Sequence, residues 1–125
     1  MNKQTTIDFL DRFADVWNRH DVQAIVSMMT PDAVMLMSGG PTAEGRSVSG
    51  REALLSDISA FFQSMPDAQW RNARHFIAGD RGVTQWTFTA TRTDGSKVDS
   101  MGCDVFTFRD GLIAIKDSYR KQTTY

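Results

Sequence analysis

The sequence predicts an α+β domain, with three helices first and then a meander of long antiparallel strands packed against them. Three observations carry this reading. Apolar residues recur at three- and four-residue spacing through the first half and alternate through the second. Asp94-Gly95 and Asp110-Gly111 sit between alternating runs, and Gly79-Asp80-Arg81-Gly82 marks a further turn, so the second half carries hairpin signals throughout. The chain has 125 residues with no repeat, linker or low-complexity tract, so one domain spanning 1–125 is expected.

The first helix is expected from about Thr6 to Arg19, because Ile7, Leu10, Phe13, Ala14 and Trp17 fall on one face. Thr5 and Asp8 resemble a capping box with a shorter acid. Asp21 caps a second short helix with Val22, Ile25 and Met29 inward, and Pro31 stops it. Ala33 to Ser38 reads as a strand, followed by a glycine-rich loop from Gly39 to Val48. Ser49 and Glu52 form a capping box for a third helix with the stripe Leu54, Leu55, Ile58, Phe61, Phe62 and Met65, ended by Pro66. The strands expected after it are Gln69–Ala78, Val83–Thr93, Lys97–Phe108 and Leu112–Thr123. Helices before a meander imply packing on one face of a curved sheet.

Composition narrows the function. Apolar residues are 41% and charged residues 23% of the chain, and the net charge is −1, which gives no electrostatic reason to expect a nucleic-acid partner. One cysteine, Cys103, excludes an internal disulfide and a cysteine-rich zinc site; two histidines, His20 and His75, leave little for a histidine-rich metal centre. No metal and no cofactor is expected. Met1 to Thr6 lacks the apolar stretch of a secretory signal and no run reaches the roughly 18 apolar residues of a membrane span. No membrane partner and a cytoplasmic location are therefore expected. Gly39-Gly40-Pro41 and Gly45 are not followed by the Gly-Lys-Ser/Thr of a phosphate loop, and no serine sits in a hydrolase elbow.

Three segments carry a resemblance: Trp17-Asn18-Arg19-His20-Asp21 with Met29-Thr30-Pro31-Asp32-Ala33-Val34; Gly50-Arg51-Glu52-Ala53-Leu54; and Gly102 through Ile113. With the element order, they make the chain similar to the nuclear transport factor two-like superfamily, most of all its SnoaL-like branch. That superfamily includes ketosteroid isomerases, SnoaL-like polyketide cyclases and limonene epoxide hydrolases. The resemblance implies a cystatin-like α+β roll, in which a curved sheet and the helices form a cone holding a small, mostly apolar ligand. It implies the fold far more than the reaction, since one fold hosts many sites.

Asp104 stands out. By simple alternation it shares a strand face with Phe106 and Phe108. Desolvation there would raise its pKa and suit a proton donor. The resemblance matches this position to the acid that hydrogen-bonds the substrate oxyanion in ketosteroid isomerases. It also places that family's catalytic tyrosine on Phe13 and its base on Met37, neither of which moves a proton. The working carboxylate of the cyclases and epoxide hydrolases falls on Ser118.

The partner of Asp104 depends on the last hairpin. A two-residue turn at Asp110-Gly111 pairs Phe108 with Ile113 and Asp104 with Asp117. A three-residue bulged turn, the preferred reading, pairs Phe108 with Leu112 and sets Asp104 against Lys116, with Ser118 and Arg120 on the same side. Parity on the neighbouring strand stays open: a bulge at Gly102 brings Trp86, Phe88 and Met101 to the Asp104 side, and a regular strand brings Gln85, Thr87 and Thr89 instead.

The expected site is Asp104 with Lys116 as catalytic residues and Phe13, Trp17, Met37 (or Met35), Trp86, Phe106 and Ser118 as ligand-binding residues. The expected function is a cofactor-free SnoaL-like enzyme doing acid–base chemistry on a small hydrophobic carbonyl compound. The alternative is a non-catalytic ligand-binding or interaction domain. Access to Asp104 separates them: open to the pocket in the enzyme, sealed behind Lys116 and the phenylalanines in the binder. His75 is a further candidate through its useful pKa; His20 and Cys103 read as structural. Ile113, Ile115 and Tyr119 are expected on the outer sheet face, as an apolar stripe joining a homodimer.

Overall fold

The computed structural model describes residues 4–122. Its elements run α1 (Ile7–Asn18), α2 (Val22–Ser27), β1 (Met29–Leu36), β2 (Ser47–Ser49), α3 (Arg51–Ser64), β3 (Gln69–Ala78), β4 (Arg81–Thr91), β5 (Lys97–Arg109) and β6 (Leu112–Arg120). One six-stranded sheet has the order β2-β1-β6-β5-β4-β3. All its pairs are antiparallel except β1 with β6, which is parallel. The three helices and a curved, unclosed sheet make the α+β architecture read from the sequence. Thr123, the expected end of the last strand, and Met1 to Lys3 lie outside the described residues. Among the described residues no helix is long and apolar enough to cross a membrane.

Helix α1 buries Phe9, Leu10, Phe13, Val16 and Trp17, whereas Ile7 is exposed. The buried stripe is therefore rotated from the expected one, toward Phe9 and Val16. Its N-cap is Thr6 rather than Thr5: the Thr6 hydroxyl accepts from the Phe9 amide at 3.2 Å, a bond worth about 1 kcal/mol. Asp21 caps α2 as expected, accepting from the Ala24 amide. Pro31 does not end α2, which stops at Ser27; it lies within β1, in the stretch between Met29 and Val34 where the pairing with β6 slips. A residue without an amide hydrogen is tolerated where the ladder is already broken. The Ser49–Glu52 box does not form. Gly50 is the N-cap of α3 and makes no side-chain capping bond, while Ser49 is held in β2 opposite Val34.

The largest departure is in the last hairpin. Asp110 and Gly111 have φ of 56° and 75°, which defines a two-residue turn of the twist that suits a hairpin. Arg109 therefore pairs with Leu112 and Phe108 with Ile113. Ala114 is then an extra residue on β6, so Thr107 pairs with Ile115, Phe106 with Lys116 and Asp104 with Ser118. The two-residue alternative holds at the turn, with Phe108 opposite Ile113, but neither expected partner of Asp104 does: it lies directly opposite neither Lys116 nor Asp117. The bulge sits inside the strand rather than in the turn. Because it comes after Ile113, that residue points inward with Phe108 and is fully buried, so it is no part of an outer stripe.

Parity on β4 also resolves differently. Thr91 pairs with Lys97 across a five-residue connection, closed by the Arg92 amide on Ser96 and the Gly95 amide on Arg92. The ladder is regular through Gly102, yet Thr84, Trp86 and Phe88 face the Asp104 side, and Met101 faces out. Gly102 is no bulge. A Cβ there would sit 2.6 Å from the Trp86 ring and 2.3 Å from the Tyr119 carbonyl oxygen, so only glycine lets that indole lie flat on β5.

The core fills the space between the helices and the concave face of the sheet. Trp17 is its hub, packing edge-on against Phe13, Phe62 and Trp70 at 6.1, 5.7 and 5.2 Å. A second apolar cluster of Ala68, Trp86, Phe88, Ala90 and Val98 continues it toward the β4–β5 end. Each large side chain so buried contributes about 1.5–3 kcal/mol.

Candidate active site

Asp104 and Lys116 are 6% and 7% exposed and form a buried ion pair at 3.2 Å. The pair is diagonal across the β5–β6 ladder, a geometry that the Ala114 bulge creates. Ser118, directly opposite Asp104, donates to its carboxylate at 2.6 Å and accepts from Lys116 Nζ at 3.1 Å. The Trp86 indole donates to the other carboxylate oxygen at 3.0 Å. Asp104 thus works as an acceptor at both oxygens. Burial without these donors would be costly, and with them the group is held in one orientation. Lys116 Nζ also stands 4.6 Å above the Trp17 ring, a cation–π contact out of water. Ser118, by a hydrogen bond, and Asp104, by the ion pair, are the oxygen partners of this ammonium among the described residues.

A cavity of about 450 Å³ opens beside this cluster. Its walls are Met35 and Met37 of β1 and its continuation, Phe61 and Met65 of α3, Trp86 and Phe88 of β4, and Lys116, Ser118 and Arg120 of β6, with Trp17, Ile58 and Trp70. Asp104 is not on that wall. It lines a separate inner void of about 20 Å³ with Phe13, Thr84 and Phe106, room for one water molecule and nothing larger. Trp17, Trp70, Trp86 and Lys116 line both spaces and form the partition. Of the residues singled out in the sequence, Trp17, Met37, Trp86, Lys116 and Ser118 meet on the cavity wall. Phe13, Phe106 and Asp104 sit behind it.

Two further polar groups line the cavity, of which Asp57 has no place in the sequence reading and Arg120 enters it only as a residue on the Asp104 side of its strand. Asp57 on α3 is a carboxylate on its wall, and Arg46 donates to both its oxygens at 2.9 and 3.3 Å. Asp57 lies at the edge of the α3 apolar stripe, one turn before Phe61, and that spacing is the one signal that could have found it. The glycine loop contributes Ser38 and Arg46 to the rim. The other is Arg120, half-buried over the Phe88 ring at 5.2 Å. Desolvation, and then the nearby Arg92, pull its pKa below the usual guanidinium value.

His75 lies elsewhere. Its Nδ1 is 2.8 Å from the Thr84 hydroxyl and its Nε2 is 2.9 Å from the Asp11 carboxylate. The order of aspartate, histidine and hydroxyl is that of a nucleophilic triad, but the hydroxyl faces the inner void, out of reach of a substrate. The arrangement is a strut from α1 to β3 and β4. His20 stacks on Phe62 at 3.9 Å and contacts the Ala68 carbonyl oxygen at 2.7 Å, a packing role. The Cys103 thiol is pushed up by burial and by the charges of Asp104 and Asp117, which disfavours the reactive thiolate. Among the described residues no three histidine, cysteine or acidic side chains cluster to hold a metal.

Solved structures share this architecture. A candidate polyketide cyclase of Xanthomonas campestris superposes with a TM-score of 0.79 at 20% identity, over 90% of this chain and 87% of its own. An NTF2-like protein of unknown function from Mesorhizobium loti gives 0.74 at 23% identity, over 98% and 100%. A protein of Catenulispora acidiphila with a ketosteroid isomerase-like fold, in complex with trimethylamine, gives 0.79 at 15% identity, over 92% and 86%. At these identities the likeness is one of fold. No protein of curated function matches the sequence. The profile of the SnoaL-like domain matches residues 10–115, most of the chain, and the protein belongs to the SnoaL-like domain family.

Proposed function

We propose that the protein binds a small, mostly apolar carbonyl compound in the 450 Å³ cavity and acts on it by cyclase- or isomerase-type proton transfer. The observation that carries this is the Lys116 ammonium, a buried cation on the wall of a largely apolar cavity, held there by Asp104 and Ser118. A carbonyl oxygen placed there gains a charge-assisted hydrogen bond that strengthens as negative charge develops on it. Asp104 and Ser118 act through Lys116 by holding it in place, so Asp104 is a positioning residue in this reading. The base is Asp57, a carboxylate on the cavity wall. A fold neighbour that holds trimethylamine is in keeping with a small ligand.

A second reading, binding without turnover, is favoured by one observation. Asp104 is sealed behind Lys116, Ser118 and Trp86, and Asp57 is tied to Arg46. The two readings separate with 2-acetylnaphthalene labelled with ¹³C at its carbonyl. The catalytic reading predicts a downfield carbonyl shift on binding and exchange of the methyl protons into D₂O. Lys116→Met should abolish the shift and Asp57→Asn the exchange. Binding with neither effect would leave the non-catalytic reading.

We also propose a homodimer through the convex face of β4, β5 and β6. Met101 and Tyr119 are 62% and 57% exposed there, with Cys103, Val105 and Ile115 half-buried beside them. Sedimentation as a monomer at micromolar concentration would exclude it.

A further inference from the structure

The cavity wall carries three cations, Arg46, Lys116 and Arg120. Arg46 is matched by Asp57 and Lys116 by Asp104. Arg120 has no carboxylate partner and no hydrogen-bond acceptor among the described residues; its guanidinium rests on the Phe88 ring. Water covers it only in part, and Arg92 adds a second positive charge nearby. An unmatched, partly desolvated guanidinium beside apolar walls is unfavourable in the empty protein, and an anion relieves it.

We propose that the ligand is an apolar carboxylic acid, its carboxylate bound edge-on by Arg120, its body along Phe88, Trp86 and Met65, and its carbonyl oxygen at Lys116. This rests on the reading of the cavity as a small-molecule site and adds the chemical class of the ligand. A monocarboxylate fits better than a phosphate dianion, because one positive charge on the cavity wall is unmatched. A planar carboxylate also meets a guanidinium edge with two parallel bonds. Length follows from the strand. Lys116, Ser118 and Arg120 alternate on one face of β6, and four residues at about 3.3 Å each put the Lys116 and Arg120 Cα atoms about 13 Å apart. That span suits two fused rings with oxygen functions at opposite ends, such as a bicyclic aromatic keto acid.

The test uses 6-acetyl-2-naphthoic acid and its methyl ester, titrated calorimetrically into the full chain at neutral pH. The acid should bind about tenfold more tightly than the ester, equivalent to about 1.4 kcal/mol. Arg120→Gln should remove that preference, so that acid and ester bind alike. Arg120→Met, which keeps an apolar stem on Phe88, should do the same and serves if the glutamine variant does not fold. Equal binding of acid and ester by the unaltered protein, or a preference that survives both substitutions, would overturn the carboxylate assignment and leave the small-molecule site standing. Binding of neither compound would overturn the small-molecule site and the assignment with it.

Discussion

The two sides of the partition formed by Trp17, Trp86 and Lys116 treat polar groups differently. On the closed side, Asp104 meets Ser118, Trp86 and Lys116 beside a void that admits one water. On the open side, the ammonium of Lys116 and the guanidinium of Arg120 stand on the wall of a cavity of about 450 Å³, and Arg120 has no acceptor among the described residues. Buried polar groups are normally satisfied, because leaving one unpaired costs about 1–3 kcal/mol. The Asp104 cluster, closed off around a single-water void, reads as scaffold, and the cations beside the large cavity mark the place for a ligand. Asp104, the carboxylate that stands out in the sequence, is on the scaffold side, so residue type alone does not locate the site.

The largest effect expected from this contrast is on Asp104. Replacing it with alanine strands the Lys116 ammonium in the core and should cost about 3–5 kcal/mol in urea unfolding. Replacing both, as Asp104→Leu with Lys116→Met, should cost less than the single change. A loss under about 1 kcal/mol for Asp104→Ala would mean that water reaches the pair and the closed side is not closed.

Next comes the partition itself. Gly102→Ala drives a methyl group into the Trp86 ring and the Tyr119 carbonyl oxygen, and should cost about 1–3 kcal/mol. Because Trp86 also lines the cavity, ligand affinity should fall with stability. Stability lost without any change in affinity would separate Trp86 from the site.

His75→Phe sharpens the distinction on a smaller scale. It removes the contacts with Thr84 and Asp11 and should cost about 1 kcal/mol by thermal or chemical unfolding. Ligand binding should not change. A loss of turnover with the fold intact would make the Asp11–His75–Thr84 line a working triad instead of a strut.

The smallest expected effect is a displaced titration. Burial, then the negative charges of Asp104 and Asp117, raise the Cys103 pKa. Its alkylation rate should therefore still be rising at a pH where an ordinary free thiol has levelled off. Asp104→Asn removes one of the two charges and should bring the profile down. An unmoved profile would mean that Asp104 exerts no field through the sheet.

Much of the architecture is legible in periodicity and turn residues alone. The helical spacing of Leu10, Phe13 and Trp17 and of Leu54, Ile58 and Phe62, with Asp21 as a cap, depends on chemistry within a few residues of chain. So does the alternation of Trp86 with Phe88 and of Asp104 with Phe106, which put each pair on one strand face before any partner strand was known. Membership of one face, and the α+β class built from such faces, follow from local sequence because their physical cause is local.

What faces what is decided only by the assembled sheet. The extra residue at Ala114 turns Ile113 inward and moves Asp104 opposite Ser118 and diagonal to Lys116. The five-residue connection before Lys97 brings Trp86 to the Asp104 side. One residue of register inverts a strand's faces, and a bulge costs so little that several registers suit the same residues. Packing selects among them: a large ring needs the gap at Gly102, and a buried carboxylate needs three donors within reach. The sequence alone determined that this chain makes a helix-backed sheet with an acid and a lysine on its inner strands. Tertiary packing decided that the acid is walled in, and that Lys116 and Arg120 are the groups left facing the cavity.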